Sequence, residues 1–450
     1  MAESDFQPAA AGGRRIAVIG AGIAGLGAAW ALARRHAVTL FEAEARLGGH
    51  ANTVELQLDG TRLAVDTGFI VYNARNYPHL VALFEQLGVP TQVSDMSFAV
   101  SLDGGRVEYA GSNLNGLFAQ RRNTLRPRFW RMLSDIRRFY RAAAGYRDTL
   151  APDTSIGELL TREGYSEVFV EDHLVPMAAA IWSASRADIR RYPARAFIQF
   201  FANHGLLELG ERPPWRTVTG GSRAYVERLA AATPCVRAPR AVRVERHAHG
   251  VCVVDGDGRR GEFDEVVFAT HADQTLALLD QPSAAERAVL GAVAYSRNVA
   301  WLHEDARLMP RRRAAWSSWN YLHDARLAEG EPLCVSYWMN RLQDLPTTRQ
   351  LIVTLNPLSP PDAALSHGRY DYEHPIFTAA TGTAQARSAA LQGQAHSWFC
   401  GAWLGHGFHE DGLQSGLWVA ERLGAPAPWA NAHGYDRLPA SYREAASRAA

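Results

Sequence analysis

Apolar and polar positions recur along the chain with two periods, and the places where the period changes mark the elements. Ile16-Ala17-Val18-Ile19 and Val38-Thr39-Leu40-Phe41 are short β-branched runs, the pattern of strands buried on both faces. Between them, Leu26 to Ala33 reads as a helix rich in small residues. Leu80, Leu83, Phe84 and Leu87 fall at helical spacing between Tyr77 and Gly88. Phe98-Ala99-Val100 and Val107-Glu108-Tyr109 flank Asp103-Gly104-Gly105 and predict a hairpin. Beyond Pro127, the residues Phe129, Met132, Leu133, Ile136, Phe139 and Tyr140 make an apolar helical stripe. Residues 155–209 are again helical in pattern and include Pro176 to Ser183, small and aromatic residues that suit either a core or an apolar pocket wall.

The second half changes character. Thr219-Gly220-Gly221-Ser222 leads into a helical stretch from Tyr225 to Ala231. Ala241 to Val244, Val251 to Val254 and Glu265 to Thr270 read as successive strands, with Asp255-Gly256-Asp257-Gly258 as turn chemistry. Four further strand-like runs, 299–303, 315–322, 333–338 and 351–355, predict a mostly antiparallel sheet dense in Trp316, Trp319, Asn320, Tyr321, Tyr337 and Trp338. Only alternate residues of such strands can face one cavity. Near the end, Trp398 to Trp403 is a strand interrupted by Gly401, followed by a glycine-rich turn from Gly405 and a helix to Leu423.

The first of these boundaries carries chemistry. Gly20-Ala21-Gly22-Ile23-Ala24-Gly25 stands between a strand and a helix, and Glu42 ends the next strand about twenty residues on. Gly20 allows the tight turn, Gly22 lets the backbone approach a pyrophosphate, and Gly25 lets helix and strand pack closely. The helix N-terminus offers unpaired N–H groups to phosphate, and Glu42 can accept from ribose hydroxyls. Strand, turn, helix, strand and acid together specify a dinucleotide-binding unit.

Composition narrows the partners. The chain has 450 residues and a formal net charge of +1, which gives no reason to expect nucleic acid. All 47 basic residues are arginine, so chemistry that needs a lysine is excluded. Four scattered cysteines and the absence of a basic-then-apolar start suit a reduced cytoplasmic setting. No apolar run reaches the roughly 18 residues of a membrane span, so any membrane contact is expected to be peripheral, at the inner face. Its expected place is 121–147, with nine arginines against one acid, Asp135. A basic amphipathic helix can lie on an anionic membrane. The commoner arrangement packs its stripe on a soluble domain and leaves the arginines solvated.

Glu42-x-x-x-Arg46-x-Gly48-Gly49, coming after the glycine turn, resembles the flavin-containing amine oxidase and phytoene desaturase superfamily. Gly412 to Gly416 resembles its C-terminal cofactor motif. The resemblance covers nearly the whole chain and implies FAD. It also implies an α/β fold, in which a Rossmann-like FAD-binding domain of glutathione-reductase type (13–75, 214–285 and 392–435) interleaves with an α+β substrate domain (76–213 and 286–391). That second domain is expected to rest on a mixed, mostly antiparallel sheet, with 1–12 and 436–450 as flexible termini.

By the same resemblance Glu42 holds the adenosine ribose, Arg46 runs along the pyrophosphate, and the Gly48-Gly49 backbone passes the flavin. Asp66-Thr67-Gly68 lies close to the ring, Val242 meets the adenine, and Thr270 ends a strand beside the nucleotide. Gly401, Gly412, Leu413 and Ser415 are implied flavin neighbours. The family's acid after the strand glycine is replaced by Ala402-Trp403, and Glu410 or Asp411 is expected to take over its hydrogen bonds. Where the family often has arginine after Gly-Gly, this chain has His50.

Ile181-Trp182-Ser183, Tyr337-Trp338, His374-Pro375 and Gly407-Phe408-His409-Glu410-Asp411-Gly412 resemble a bacterial subfamily of NAD/FAD-binding amine-oxidase-like proteins. Its members are frequently encoded near lipid-modifying methyltransferases, which implies a lipid substrate and such a methyltransferase as partner. His406, His409 and Tyr337 are the candidate catalytic groups, because imidazole transfers protons near neutral pH. His406-x-x-His409 lacks a third ligand, so no metal is expected. The missing lysine counts against ordinary amine oxidation. Three functions remain open: a desaturase or dehydrogenase of an apolar substrate, a redox-neutral isomerase, and a non-enzymatic FAD-holding partner of a lipid enzyme. An NAD-only enzyme is a weaker alternative.

Overall fold

The computed structural model describes residues 13–151, 153–207, 213–324 and 333–442. Five parallel strands form its first layer in the order Val236–Ala238, Ala37–Phe41, Arg15–Ile19, Glu265–Phe268, Ser397–Phe399. Every neighbouring pair is parallel, and Ile19 stands between Phe41 and Phe268 at the carboxyl edge. The order reverses about the first strand, which opens a crevice there for a ligand. All ten residues of the helix Ile23–Leu32 are buried. That explains its lack of an amphipathic pattern: sheet covers one side and the C-terminal helix His409–Arg422 the other. The two helices approach closely because Gly416 faces the Ala24 carbonyl, where an added Cβ would come within 2.2 Å of its oxygen.

The second layer is a seven-stranded sheet in the order Ser366–Ile376, Ala294–His303, Ile352–Leu355, Cys334–Trp338, Trp319–His323, Phe98–Leu102, Val107–Ala110. It is antiparallel except where Trp319–His323 runs parallel to Phe98–Leu102. The mixed, mostly antiparallel expectation therefore describes it. Helices from Pro127 to Asn203 cover one end and build a second core around Phe139, Phe169, Phe197 and Phe201.

Several expectations are corrected. Tyr77, Leu80, Leu83 and Phe84 pack in the core of the parallel sheet, so the substrate half begins after the helix Pro78–Leu87 and not at residue 76. Leu438 and Tyr442 are buried, and the Tyr442 hydroxyl bonds Ser388 and Gln392, so residues 436–442 are packed against the body. The expectation for 1–12 and 443–450 lies outside the described residues. Residues 315–318 form no strand; the strand begins at Trp319. The eleven-residue strand Ser366–Ile376 was not expected from its pattern. Finally, Phe129, Met132 and Phe139 face the protein core, so the stripe of the helix Pro127–Thr149 is not available to a membrane.

Candidate active site

One cavity of about 1670 Å³ starts in the crevice of the parallel sheet and continues to the floor of the seven-stranded sheet. At the crevice end Gly20 adopts φ +101°, and an added Cβ would stand 2.9 Å from the Ala269 oxygen. Gly25 faces the Gly20 carbonyl oxygen, 1.8 Å from where its Cβ would be. Gly22 differs: nothing lies within 4 Å of its added Cβ, and the residue lines the cavity. The three glycines thus divide as expected into turn, open approach and close packing. Glu42 accepts from the Ala21 N–H at 2.7 Å and from the Ala43 and Glu44 N–H groups at 2.7 and 2.9 Å. It ties the glycine turn to the second strand. Arg46 donates to the Gly49 carbonyl at 2.7 Å.

Of the residues expected at the cofactor, Gly20, Gly22, Glu42, Arg46, Gly48, Gly49, Thr67, Gly68, Val242, Thr270, Gly401 and Gly412 line this cavity. Val242 is there because the strand bulges between Ala241 and Arg243. Besides Gly25, which packs on the glycine turn, five others stand behind its wall or away from it. Asp66 is fully buried and accepts from Thr53, Ser222 and Gln343. Burial pushes its carboxyl up to about 6. Leu413 fills the space that Gly27 leaves in the facing helix, and Ser415 bonds the Gly401 N–H at 2.8 Å, holding the wall residue without reaching the cavity.

The expectation that Glu410 or Asp411 replaces the family acid is corrected for both. Glu410 accepts from the His79 and Leu80 N–H groups at 2.9 and 3.0 Å. Asp411 accepts from those of His406 and Phe408 at 3.0 and 2.8 Å. Each carboxylate serves a helix N-terminus, which leaves it turned from the cofactor crevice.

His406, His409 and Tyr337 all line the cavity. His409 stacks on Phe69 at 3.7 Å between ring centroids and shares a 2.9 Å hydrogen bond between Nε2 and the Tyr225 hydroxyl. Burial lowers its imidazole to about 3. His406 is also lowered by burial, with Asp411 opposing the shift. Tyr337 packs edge-on to Trp319 at 4.9 Å, and burial raises its phenol well above the ordinary range.

A second group of imidazoles was not among the expected catalytic residues. His50 lies 5.2 Å between ring centroids from both Tyr372 and His374, and 6.3 Å from His271. The Asn298 amide donates to His374 Nδ1 at 3.0 Å, and its own oxygen accepts from Asn356 at 2.8 Å. This fixes the neutral His374 proton on Nε2. Burial lowers His374 to about 4 and lowers His50 well below the ordinary imidazole range, with neighbouring imidazoles adding to both shifts. His50 Nε2 is buried without a hydrogen-bond partner among the described residues. The signal in the sequence was His374-Pro375 on a strand too polar to be read as one. Among the described residues no three His, Cys, Asp or Glu side chains are arranged to hold a metal.

A parallel sheet with a glycine crevice, a second sheet as floor and one cavity joining them define a two-part dinucleotide-dependent enzyme. The family is given by comparison. Residues 23–424 match the model of flavin containing amine oxidoreductases, and the chain belongs to that family. No curated protein matches the chain significantly. Among solved structures it is similar to a CLA-producing fatty acid isomerase from P. acnes, at 16% identity and TM-score 0.63 over 91% of this chain and 98% of that one. It is similar to cyclohexylamine oxidase from Brevibacterium oxydans, at 15% identity and TM-score 0.64 over 92% and 100%. Putrescine oxidase bound to putrescine gives 16% identity and TM-score 0.64 over 92% and 99%.

FAD is the cofactor of this family, and the residues present fit it. The open side of Gly22 leaves room for the pyrophosphate. Glu42, Arg46, Gly48 and Gly49 line the same cavity and are the residues that would hold it, and His50 Nε2 beside them has no hydrogen-bond partner among the described residues.

Proposed function

We propose that this flavin-containing oxidoreductase dehydrogenates or desaturates an apolar substrate of the fatty acyl or phospholipid class. Bound FAD supplies the hydride acceptor. The observation that carries the reading is the far end of the cavity, walled by Trp182, Phe200, Trp215, Trp319, Tyr337 and Leu355. Such a wall favours hydrocarbon, since burial of apolar surface contributes about 25 cal/mol per Å². The imidazoles of His50, His374 and His409, which also line the cavity, are all lowered by burial and are neutral at neutral pH. With no lysine in the chain, a lysine-held water is absent from the site.

Anaerobic mixing with acyl lipids tests the reading: loss of the oxidised flavin absorbance on addition of substrate is the expected result. Product without net bleaching supports the second reading, a redox-neutral isomerase, a reading motivated by the similarity in fold to a fatty acid isomerase. If neither occurs with any acyl lipid and a lipid-modifying methyltransferase co-purifies, the protein is instead a flavin-holding partner of that enzyme.

A further inference from the structure

Between Tyr109 and Ser134 the chain carries five arginines and no acid. This stretch folds as the short helix Leu114–Leu117, the turn Arg121–Leu125 and the first turns of the helix Pro127–Thr149. The pieces form one surface. Trp130 packs beside Phe118 at 5.9 Å between ring centroids, its indole N–H donates to the Thr124 carbonyl at 2.9 Å, and Arg121 donates to the Asn115 side chain at 2.9 Å. On it stand Leu125, 86% exposed, Leu114, 74%, and Trp130, 51%. These are three of the four most exposed large apolar side chains among the described residues. Single exposed apolar residues are ordinary, but a group of three on one arginine-rich surface marks an interaction site.

The charges are placed against the protein's own interest. Arg126 is the N-cap of the long helix, Arg128 and Arg131 follow in its first turns, and its first turn holds no acid. Cations at the positive end of a helix dipole are unfavourable. Asp172 relieves Arg128 at 2.8 Å. Arg126 and Arg131 form no ion pair with a described residue, and Arg121 and Arg122 bond only neutral groups, the Asn115 side chain and the Arg106 carbonyl. An array of phosphates satisfies both the dipole and the arginines. Leucine and tryptophan between them suit the boundary of headgroups and acyl chains.

We propose that this patch docks on an anionic lipid bilayer, with Leu114, Leu125 and Trp130 entering the boundary and Arg121, Arg122, Arg126 and Arg131 on lipid phosphates. The contact is made by the N-terminal tip of the arginine helix and the two turns before it, since the stripe along that helix is buried. The helix packs on Ala194–Asn203, whose Phe200 lines the cavity. The inference does not depend on the substrate reading.

The test is co-sedimentation of the full-length flavoprotein with phosphatidylglycerol–phosphatidylcholine vesicles and with pure phosphatidylcholine vesicles. Binding to the anionic vesicles alone is expected. It should weaken about tenfold or more in high salt, as exposed charge contacts are screened, and by a similar factor in the L125E/W130E variant. The R121Q/R122Q/R126Q/R131Q variant should lose the preference for phosphatidylglycerol. All these side chains lie at the surface, so both variants should keep the flavin spectrum and thermal midpoint of the parent. Equal binding to both vesicle types, or anionic binding untouched by L125E/W130E, overturns the proposal. So does a change of oligomeric state in that variant without vesicle binding in the parent, which would assign the patch to a contact between copies of the chain.

Discussion

At the scale of single residues, the three glycines of the first turn separate folding from cofactor binding. Gly25→Ala drives a methyl group to 1.8 Å from the Gly20 oxygen, and backbone cannot yield there cheaply. A loss of about 3 kcal/mol or more is expected, read as a fall in the thermal midpoint of the apoprotein. Gly22→Ala meets nothing within 4 Å, and its φ of −74° suits alanine. Its cost to the apoprotein should stay below about 1 kcal/mol, the value of a lost N-cap preference. The same methyl group points into the cofactor space, so FAD affinity should fall at least about tenfold, or about 1.4 kcal/mol. Flavin titration of the two apoproteins checks this; equal affinity in Gly22→Ala and parent would remove the pyrophosphate from that place. The glycine roles were legible because a fixed spacing between strand and helix dictates geometry. Asp66, Glu410 and Asp411 were not, since a sequence shows that an acid is near a motif and says nothing of where its carboxylate turns.

At the scale of elements, helix ends explain much of what the pattern concealed. The helix Pro78–Leu87 has no capping side chain of its own, and Tyr77 at its N-cap offers none. Glu410, more than three hundred residues away, accepts two of its free N–H groups. Burial pushes that carboxyl up to about 7 from its ordinary 4.5. The folded protein therefore holds the proton more tightly than the unfolded chain. The associated stability is fully present below about pH 4.5 and is lost as pH rises through about 7. Glu410→Gln removes the titration and one acceptor oxygen. The variant should be about 1–2 kcal/mol less stable than the parent near pH 4.5. That deficit should shrink toward pH 7 in urea unfolding; a deficit independent of pH would mean Glu410 is already ionised across the range.

The strand Ser366–Ile376 escaped notice for a related physical reason. Only Tyr372 on it is buried, while Arg369, Asp371 and Glu373 line a cavity, so neither face is dry and no period of two survives. The strands of the parallel sheet, dry on both faces, were plain.

At the scale of the whole molecule, the cavity lies between two cores that the chain visits alternately, and its contents should couple them. Wall residues come from both ends of the sequence: Gly20 to Ala24, Gly401 to Trp403, His406 to His409 and Gly412 on one side, and Trp319, Tyr337 and Leu355 on the other. A ligand that binds only the folded chain stabilises it by mass action, about 2.7 kcal/mol at one hundred times its dissociation constant. Saturating apoprotein with FAD should therefore raise the unfolding midpoint, and the rise should grow with the logarithm of free FAD. The near-ultraviolet signal of the tryptophan-rich seven-stranded sheet should move together with flavin release, because Trp319 and Tyr337 share the cavity with Gly22 and Gly49. Two separate transitions, with only the flavin-linked one responding to FAD, would show that the halves fold independently and that the cavity does not join them. A common transition in the parent, displaced to higher FAD concentration in Gly22→Ala, would trace the coupling to the first glycine turn.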